Sequence, residues 1–466
     1  MKDTTCPTLL QHLFEILAAH RDIFRQERTF WRVAGLLIGE LFVFARHTVT
    51  QQLLALGLSD EDWSAWYRLF SRQRFDPERA GEQVFSQTLA HVPVDQPYVI
   101  GADGVQVPRS SQKMAGTSWL KALGTARFKA GIHRAQRFLN LSWFTPLEEG
   151  FSRALALRWL PAFPEKAVLP ADHSPRKEWE AGLEGIRWVR SQLDAAGRQA
   201  QWLLALVDGS FEKVLDFWKG LPERTVVLGR SARNRVLYHL PDADGAEYGK
   251  RARKPAEWLK EKLGWTTSTV TVRGRKREMC YRVEGPFVRE GLPDRPVFLI
   301  VVRGSSRKRK GQRVRYEPVF YVVSAIQQEG SWCLPFPMET LLSWAWQRWE
   351  LEVEHRELKS GFGLGEKQCW NPHSAVISVQ WSAWVYAVLL LAGYRTWGLL
   401  GGPPGPARWW RGARRWSFNT LWRAYRAAFW QTADFRAIWT LTGDNWLKKG
   451  DWIAGLWNSV AAAARA

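Results

Sequence analysis

Cysteine is scarce in this chain. Only Cys6, Cys280, Cys333 and Cys369 occur among 466 residues, and they lie far apart. That spacing excludes the close pairs of a structural zinc site. In the absence of a secretory signal, it implies reduced thiols and a cytoplasmic location. Internal repeats and sizeable low-complexity tracts are also missing. Acidic residues are in deficit, 45 against 66 Lys and Arg, which leaves a net charge of +21. Clustered positive charge attracts phosphate and releases counterions, so a polyanionic partner is implied. Long apolar runs are nearly absent. The nearest is VISVQWSAWVYAVLLLAGYRTWGLL from Val376, which follows a highly charged segment and is interrupted by Ser378, Gln380 and Ser382. It predicts a buried core helix rather than a membrane span.

Tryptophan, by contrast, is plentiful. Many of the 29 sit beside arginine, as in RWWRGARRW at 408–416. Packing accounts for most of them, and the interleaving also suits stacking on bases. An apolar content of 46% supplies a substantial core for two or three domains, or for one large domain with insertions.

Residues 1–92 carry apolar positions at helical spacing, as in LLQHLFEILAAH, and predict a helical N-terminal domain for DNA binding or positioning, or a packing collar. From residue 97 the pattern changes. PYVIGADG predicts a short strand ending at Asp103 with a turn at Gly104. Further strands are expected at Gln136–Phe144 and near Ala154–Leu160, then a helix at roughly Arg176–Ala196. QWLLALVDGSF predicts a buried strand ending at Asp208 and a helix running on through Lys219, with RTVVLGR as the next strand. Three strands, a helix and then a central strand is the order of an RNase H-like sheet. The expected organisation is α/β: a catalytic core at 93–235 and 336–400, a basic β-rich insertion at 236–335, and a helical, Trp-rich C-terminal region at 401–466. Residues 226–316 hold 23 Lys or Arg against 9 acids, most of the excess charge of the chain. SSRKRKGQRVR at 305–315 is expected to be an exposed hairpin tip. Residues 401–430 hold six arginines and no acid, which suits a second nucleic-acid contact or a dimer arm.

Asp103 and Asp208 share one context: an apolar strand, an aspartate, a glycine. Within WAWQRWELEVEHRELKSGFGLGEKQ, Glu352 has Arg348 one turn below it and Lys359 two turns above, on nearly the same helix face. Carboxylates from two adjacent strand ends and one helix can hold two divalent ions roughly 4 Å apart for phosphodiester transfer, and hard oxygen ligands select Mg²⁺ or Mn²⁺. Asp216 and Glu212 fall on a helix rather than at a strand end. Glu350 and Glu354 point about 160° to 200° away from Glu352 on an ideal helix.

The chain resembles the bacterial insertion-sequence transposases of the DDE class, in the branch whose third acid lies in a Tyr-x-x-Arg-x-x-x-Glu-x-x-x-x-x-x-Lys signature. Arg348, Glu352 and Lys359 fit that spacing, while Ala345 stands at the tyrosine position. The resemblance extends over LSDEDWSAWYRLFSR, IGADGVQVPRSSQKMAGTSW, ALVDGSF, VVRGSSRKRKG and GFGLGEKQ. It implies an RNase H-like catalytic domain with a β-rich insertion, and cleavage at transposon ends by water and then a 3′ hydroxyl. Asp103, Asp208 and Glu352 would ligate two Mg²⁺ or Mn²⁺ ions, and Arg348 and Lys359 would contact the DNA end. His355 and Arg356 are close enough to join that face, and Trp332 in EGSWCLP is a candidate for stacking a flipped base. The implied partners are double-stranded DNA, as terminal inverted repeats and target, and a second copy of the chain. A catalytically silent DNA-binding or regulatory descendant is the alternative.

Overall fold

The computed structural model describes residues 8–122, 131–241, 247–309, 312–403 and 415–430. Five helices open the chain: α1 (Thr8–Ala19), α2 (Glu27–Phe42), α3 (Val49–Ala55), α4 (Ser64–Ser71) and α5 (Pro77–Thr88). Local signals start α5. The Asp76 carboxylate accepts the Glu78 and Arg79 N–H groups, and Pro77 opens the first turn.

The central segment follows as β1 (Tyr98–Pro108), β2 (Thr117–Lys121), β3 (Ile132–Phe144), β4 (Ala154–Pro161), α6 (Glu178–Ala195), β5 (Leu203–Val207), α7 (Gly209–Glu212), α8 (Leu215–Lys219) and β6 (Thr225–Arg230). β1, β5 and β6 are parallel neighbours, and β3 runs antiparallel to β1 with β2 and β4 on its other edge. This mixed sheet is compatible with an RNase H-like fold. Covered on both faces, β5 reads LLALV with every residue buried.

β1 does not stop at Asp103. It runs on through Gly104 to Pro108, because the alternating residues Val105 to Val107 stay paired with β3. Gly104 makes no turn. It clears space for α6, since a Cβ there would lie 2.4 Å from Glu178 Oε1. The single helix expected after Asp208 is two short ones, α7 and α8.

The insertion contributes β7 (Tyr238–His239), β8 (Thr266–Val272), β9 (Arg275–Arg289), β10 (Leu292–Val302), β11 (Ser305–Arg309), β12 (Gln312–Tyr316), β13 (Val319–Ser324), β14 (Ile326–Gln328) and β15 (Ser331–Cys333). These strands do not form a separate sheet alongside the core. β13 pairs antiparallel with β6, β10 with β13 and β9 with β10, so the central sheet continues into the insertion. β8 and β9 meet at Arg273 and Gly274, both at positive φ, as a two-residue hairpin requires. β11 and β12 form the basic hairpin expected at 305–315.

The chain then enters α9 (Met338–Gln347), α10 (Trp349–Gly361), α11 (Pro372–Trp397) and α12 (Phe418–Trp430). The charged helix is thus divided at Arg348, which lies between α9 and α10. α11 is long and apolar enough to cross a membrane, yet most of it is buried within the protein. α1, α4, α5, β4 and α12 pack around it. Each of its fully buried Leu or Val side chains contributes about 1.5–3 kcal/mol. The N-terminal helices share one continuous hydrophobic core with α11 and the sheet. The expected C-terminal helical region lies outside the described residues beyond Trp430, as does most of RWWRGARRW.

Candidate active site

The register of β1 and β3 places Asp103 opposite Asn140, on the sheet face that also carries Gly101. α10 covers that face. A Cβ on Gly101 would sit 2.8 Å from Leu351 Cδ1, so the glycine lets the helix approach the strand. β5 pairs Val207 with Ala102, which puts Asp208 one step beyond the rung next to Asp103. Asp208 caps α7: its Oδ1 accepts from the Ser210 N–H at 2.8 Å and from the Ser210 hydroxyl at 2.5 Å.

Arg348, at the joint between α9 and α10, ties the helix to the strand. Its Nη2 donates to Glu352 Oε1 at 2.9 Å, and its Nη1 lies 3.7 Å from Asp103 Oδ2. Burial raises the Asp103 carboxyl to about 7. The neighbouring Asp208 pushes the same way, Arg348 partly offsets it, and Glu352 and Glu178 add to the rise. The three acids singled out in the sequence therefore converge electrostatically.

Glu178, at the start of α6, is a fourth carboxylate that sequence reasoning missed. It lies beneath Gly104, with Arg137 Nε 3.2 Å from its Oε1. Burial raises it, Arg137 lowers it and Asp208 raises it again. Spacing gives no signal for it, because only the register of the sheet brings α6 under β1.

The other candidates divide. Arg356 is exposed on α10, and Lys359 stands at the wall of a cavity of about 460 Å³ beside the end of β1. His355 turns inward: its Nε2 lies 3.1 Å from Asn140 Nδ2, and its ring meets Trp159 edge to face. Burial, with Lys359 and Arg348 nearby, drops the imidazole to about 3, so the ring is neutral. Glu350 and Glu354 do point away from Glu352, but into the protein. Trp332 is not brought to the cluster. With Trp202 and Arg224 it lines a cavity of about 320 Å³ at the start of β5, whereas Asp208 follows the end of that strand, roughly 17 Å away at strand rise. Around Ala345, Trp344 packs against Phe144, and Arg277 stacks on Trp346.

The GFGLGEKQ motif has a structural explanation. Buried Arg109 donates to Gln136 and to the carbonyls of Gly365 and Lys367. Lys367 Nζ lies 3.7 Å from buried Glu40, which His47 also contacts at 2.8 Å. Burial alone would raise Glu40, yet Lys367 and His47 hold it below the usual carboxylate range.

Among the described residues, no three His, Cys, Asp or Glu side chains form a group that could hold a metal ion. The donor chemistry still suits a hard cation. The cluster offers carboxylate oxygens, burial and then the neighbouring acids lift Asp103, and a positive group, the Arg348 guanidinium, already lies between two of them.

Asp103 on β1, Asp208 just past the end of neighbouring β5 and Glu352 on α10 bring carboxylates together on a mixed sheet compatible with RNase H-like enzymes. Residues 13–282, more than half of the chain, match the model of the DDE superfamily endonucleases, and the chain belongs to that family. The match includes Asp103 and Asp208 and ends before α10, so Glu352 rests on its position in the fold. No curated protein matches the chain.

Proposed function

We propose that this protein is an RNase H-like DNA transposase that cuts at the ends of its own insertion element and joins them to target DNA. Asp103, Asp208 and Glu352 would hold two Mg²⁺ or Mn²⁺ ions. Bound there, the ions would supply an activated oxygen nucleophile and stabilise the leaving oxygen. The observation that carries this reading is geometric: one guanidinium, Arg348, lies 2.9 Å from Glu352 and 3.7 Å from Asp103, and β5, paired with β1 at Ala102, leads directly into Asp208. Burial and these neighbouring acids raise Asp103, which added positive charge would relieve. Arg348 would turn from its two carboxylates to the DNA end, with Lys359 and Arg356 binding phosphate further along α10. His355, as a neutral ring, would take part through hydrogen bonding rather than charge. Trp332, if it stacks a base, would do so at the far end of the strands. The working unit would be a homodimer on two paired ends, in the bacterial cytoplasm at the nucleoid.

The test is cleavage of labelled DNA carrying the inverted repeats that flank the coding region, with Mg²⁺ or Mn²⁺. Wild type should cut, and Asp103→Ala, Asp208→Ala and Glu352→Ala should each abolish cutting while DNA binding persists. One observation favours a second reading, a silent DNA-binding descendant: Arg348 already bridges two of the three carboxylates. Binding without cutting under every metal tried would establish it.

A further inference from the structure

The cavity beside Lys359 belongs to no part of the acidic cluster. Its wall includes Arg46, Ser110, Lys359, Gly365, Glu366 and Gln368. Arg46 comes from the loop after α2, in a region where sequence reasoning found no site. Its side chain is exposed, and among the described residues neither Arg46 nor Lys359 has an ion-pair partner. Two exposed cations facing one hollow that holds a single carboxylate, Glu366, leave it with an excess of positive charge that attracts an anion.

The hollow is also held in shape. The Gly363–Gln368 loop forms one side of it, with Gly363 and Gly365 at positive φ. Arg109 ties that loop to β3 through Gln136, and Lys367 ties it to Glu40 of α2. The residue after Arg46 is tied as well, since the His47 N–H donates to Glu366 Oε2 at 2.7 Å. That bond occupies one oxygen of the only carboxylate at the cavity wall. Arg46 therefore starts from a fixed backbone position, although its guanidinium is free to reach.

Lys359 lies seven residues after Glu352, about 10 Å along the helix axis. With roughly 3.4 Å of axial rise per nucleotide, that distance is about three phosphates along one DNA strand. We propose that this cavity seats a DNA backbone phosphate, gripped by Arg46 from the N-terminal helices and Lys359 from α10, within about three nucleotides of the cleavage point. The proposal rests on the transposase reading for its ligand. It gives the N-terminal helices a direct part in holding DNA.

The test uses the full-length protein in EDTA, so that cleavage plays no part, and a fluorescein-labelled short duplex read by anisotropy between about 50 and 200 mM salt. Arg46→Ala and Lys359→Ala should each weaken binding about three- to tenfold and lower the slope of log affinity against log salt by about one. Arg28→Ala, which removes an exposed arginine at the other end of α2, should leave the slope unchanged. A second arm separates DNA from free anion. Modification of Arg46 by phenylglyoxal, followed by peptide mass spectrometry, should be slowed by the duplex and not by inorganic phosphate at equal phosphate concentration. Equal protection by phosphate would make the hollow a free-anion site and overturn the proposal. If wild type binds duplex and Arg46→Ala binds with the same affinity and slope, the phosphate seat fails while the transposase reading stands. If wild type binds no duplex, both fail.

Discussion

The two sides of α10 carry carboxylates in opposite circumstances. On the inward side each glutamate has partners of its own. Glu350 meets Arg415 at 2.7 Å and Arg273 at 3.5 Å. Glu354 accepts from Asn140 at 3.0 Å and Ser142 at 2.7 Å, and Glu357 pairs with Arg153 at 3.0 Å and accepts from the Tyr386 hydroxyl at 2.6 Å. On the other side Glu352 shares a single arginine with Asp103, and Asp208 has only a serine. The helix thus separates glutamates held by side chains of other elements from acids that share one guanidinium; Glu354, held by neutral partners only, is raised by burial to about 7. The inward glutamates are also the more deeply buried, Glu350 and Glu354 almost completely, whereas the Glu352 side chain is 38% exposed.

The sharpest test of that contrast is to remove one acid from each side. Asp208→Ala should reduce cutting by roughly a thousandfold or more, with a stability loss of only about 1 kcal/mol from the lost cap of α7. Glu357→Ala should do the reverse in the stability measurement. It leaves Arg153 with a buried, uncompensated charge and should cost about 3–5 kcal/mol, read by urea denaturation. Equal stability of the two variants would erase the distinction.

A pH series probes the undercompensated side next. The folded protein holds Asp103 at about 7, above its unfolded value. Its contribution to stability is therefore full below the unfolded value, near pH 4, and is lost as pH rises through 7. Buried His20, His91 and His355 oppose this trend below their usual value, being held neutral at about 4, 4 and 3. The informative quantity is therefore a difference. In EDTA, the melting temperature of Asp103→Asn minus that of wild type should grow between pH 5 and 8 and shrink when Mn²⁺ is added. A gap that stays constant would show that Asp103 is not under strain.

A smaller effect is expected from Arg348→Ala. Without the guanidinium between Asp103 and Glu352, Mn²⁺ should bind several-fold more tightly, about 1 kcal/mol, as measured by calorimetry without DNA. Weaker binding would mean that Arg348 organises the carboxylates rather than competing for them.

Much of this site is legible in the sequence where the signal is local. Asp103 and Asp208 stand out because each follows a run of strand residues, and Arg348, Glu352 and Lys359 because helical spacing stacks them. What escapes notice depends on contacts between distant segments. Glu178 enters only because α6 lies under Gly104. The continuation of β1 past Asp103 is decided by its partner strand β3, not by the Asp-Gly pair that suggested a turn. Helical spacing says of Glu354 only that it points away from Glu352, and the nearness of Asn140 and Ser142 is what makes that side the interior. Likewise the basic strands announce themselves as an insertion, but nothing in their composition says that β13 will dock on β6.

That docking has a mechanical consequence. Tyr321, Val322 and Val323 are paired with Arg230, Gly229 and Leu228, so the run of inserted strands β13, β10 and β9 and the strand beside β5 belong to one stiff plate. It cannot swing as a hinged arm without breaking backbone pairs. Under the proposed function, DNA bound along these strands would be held at a set distance from the acidic cluster, much as a workpiece is clamped against a fence. Lengthening or shortening those strands would then move the point that meets the carboxylates rather than loosen the grip.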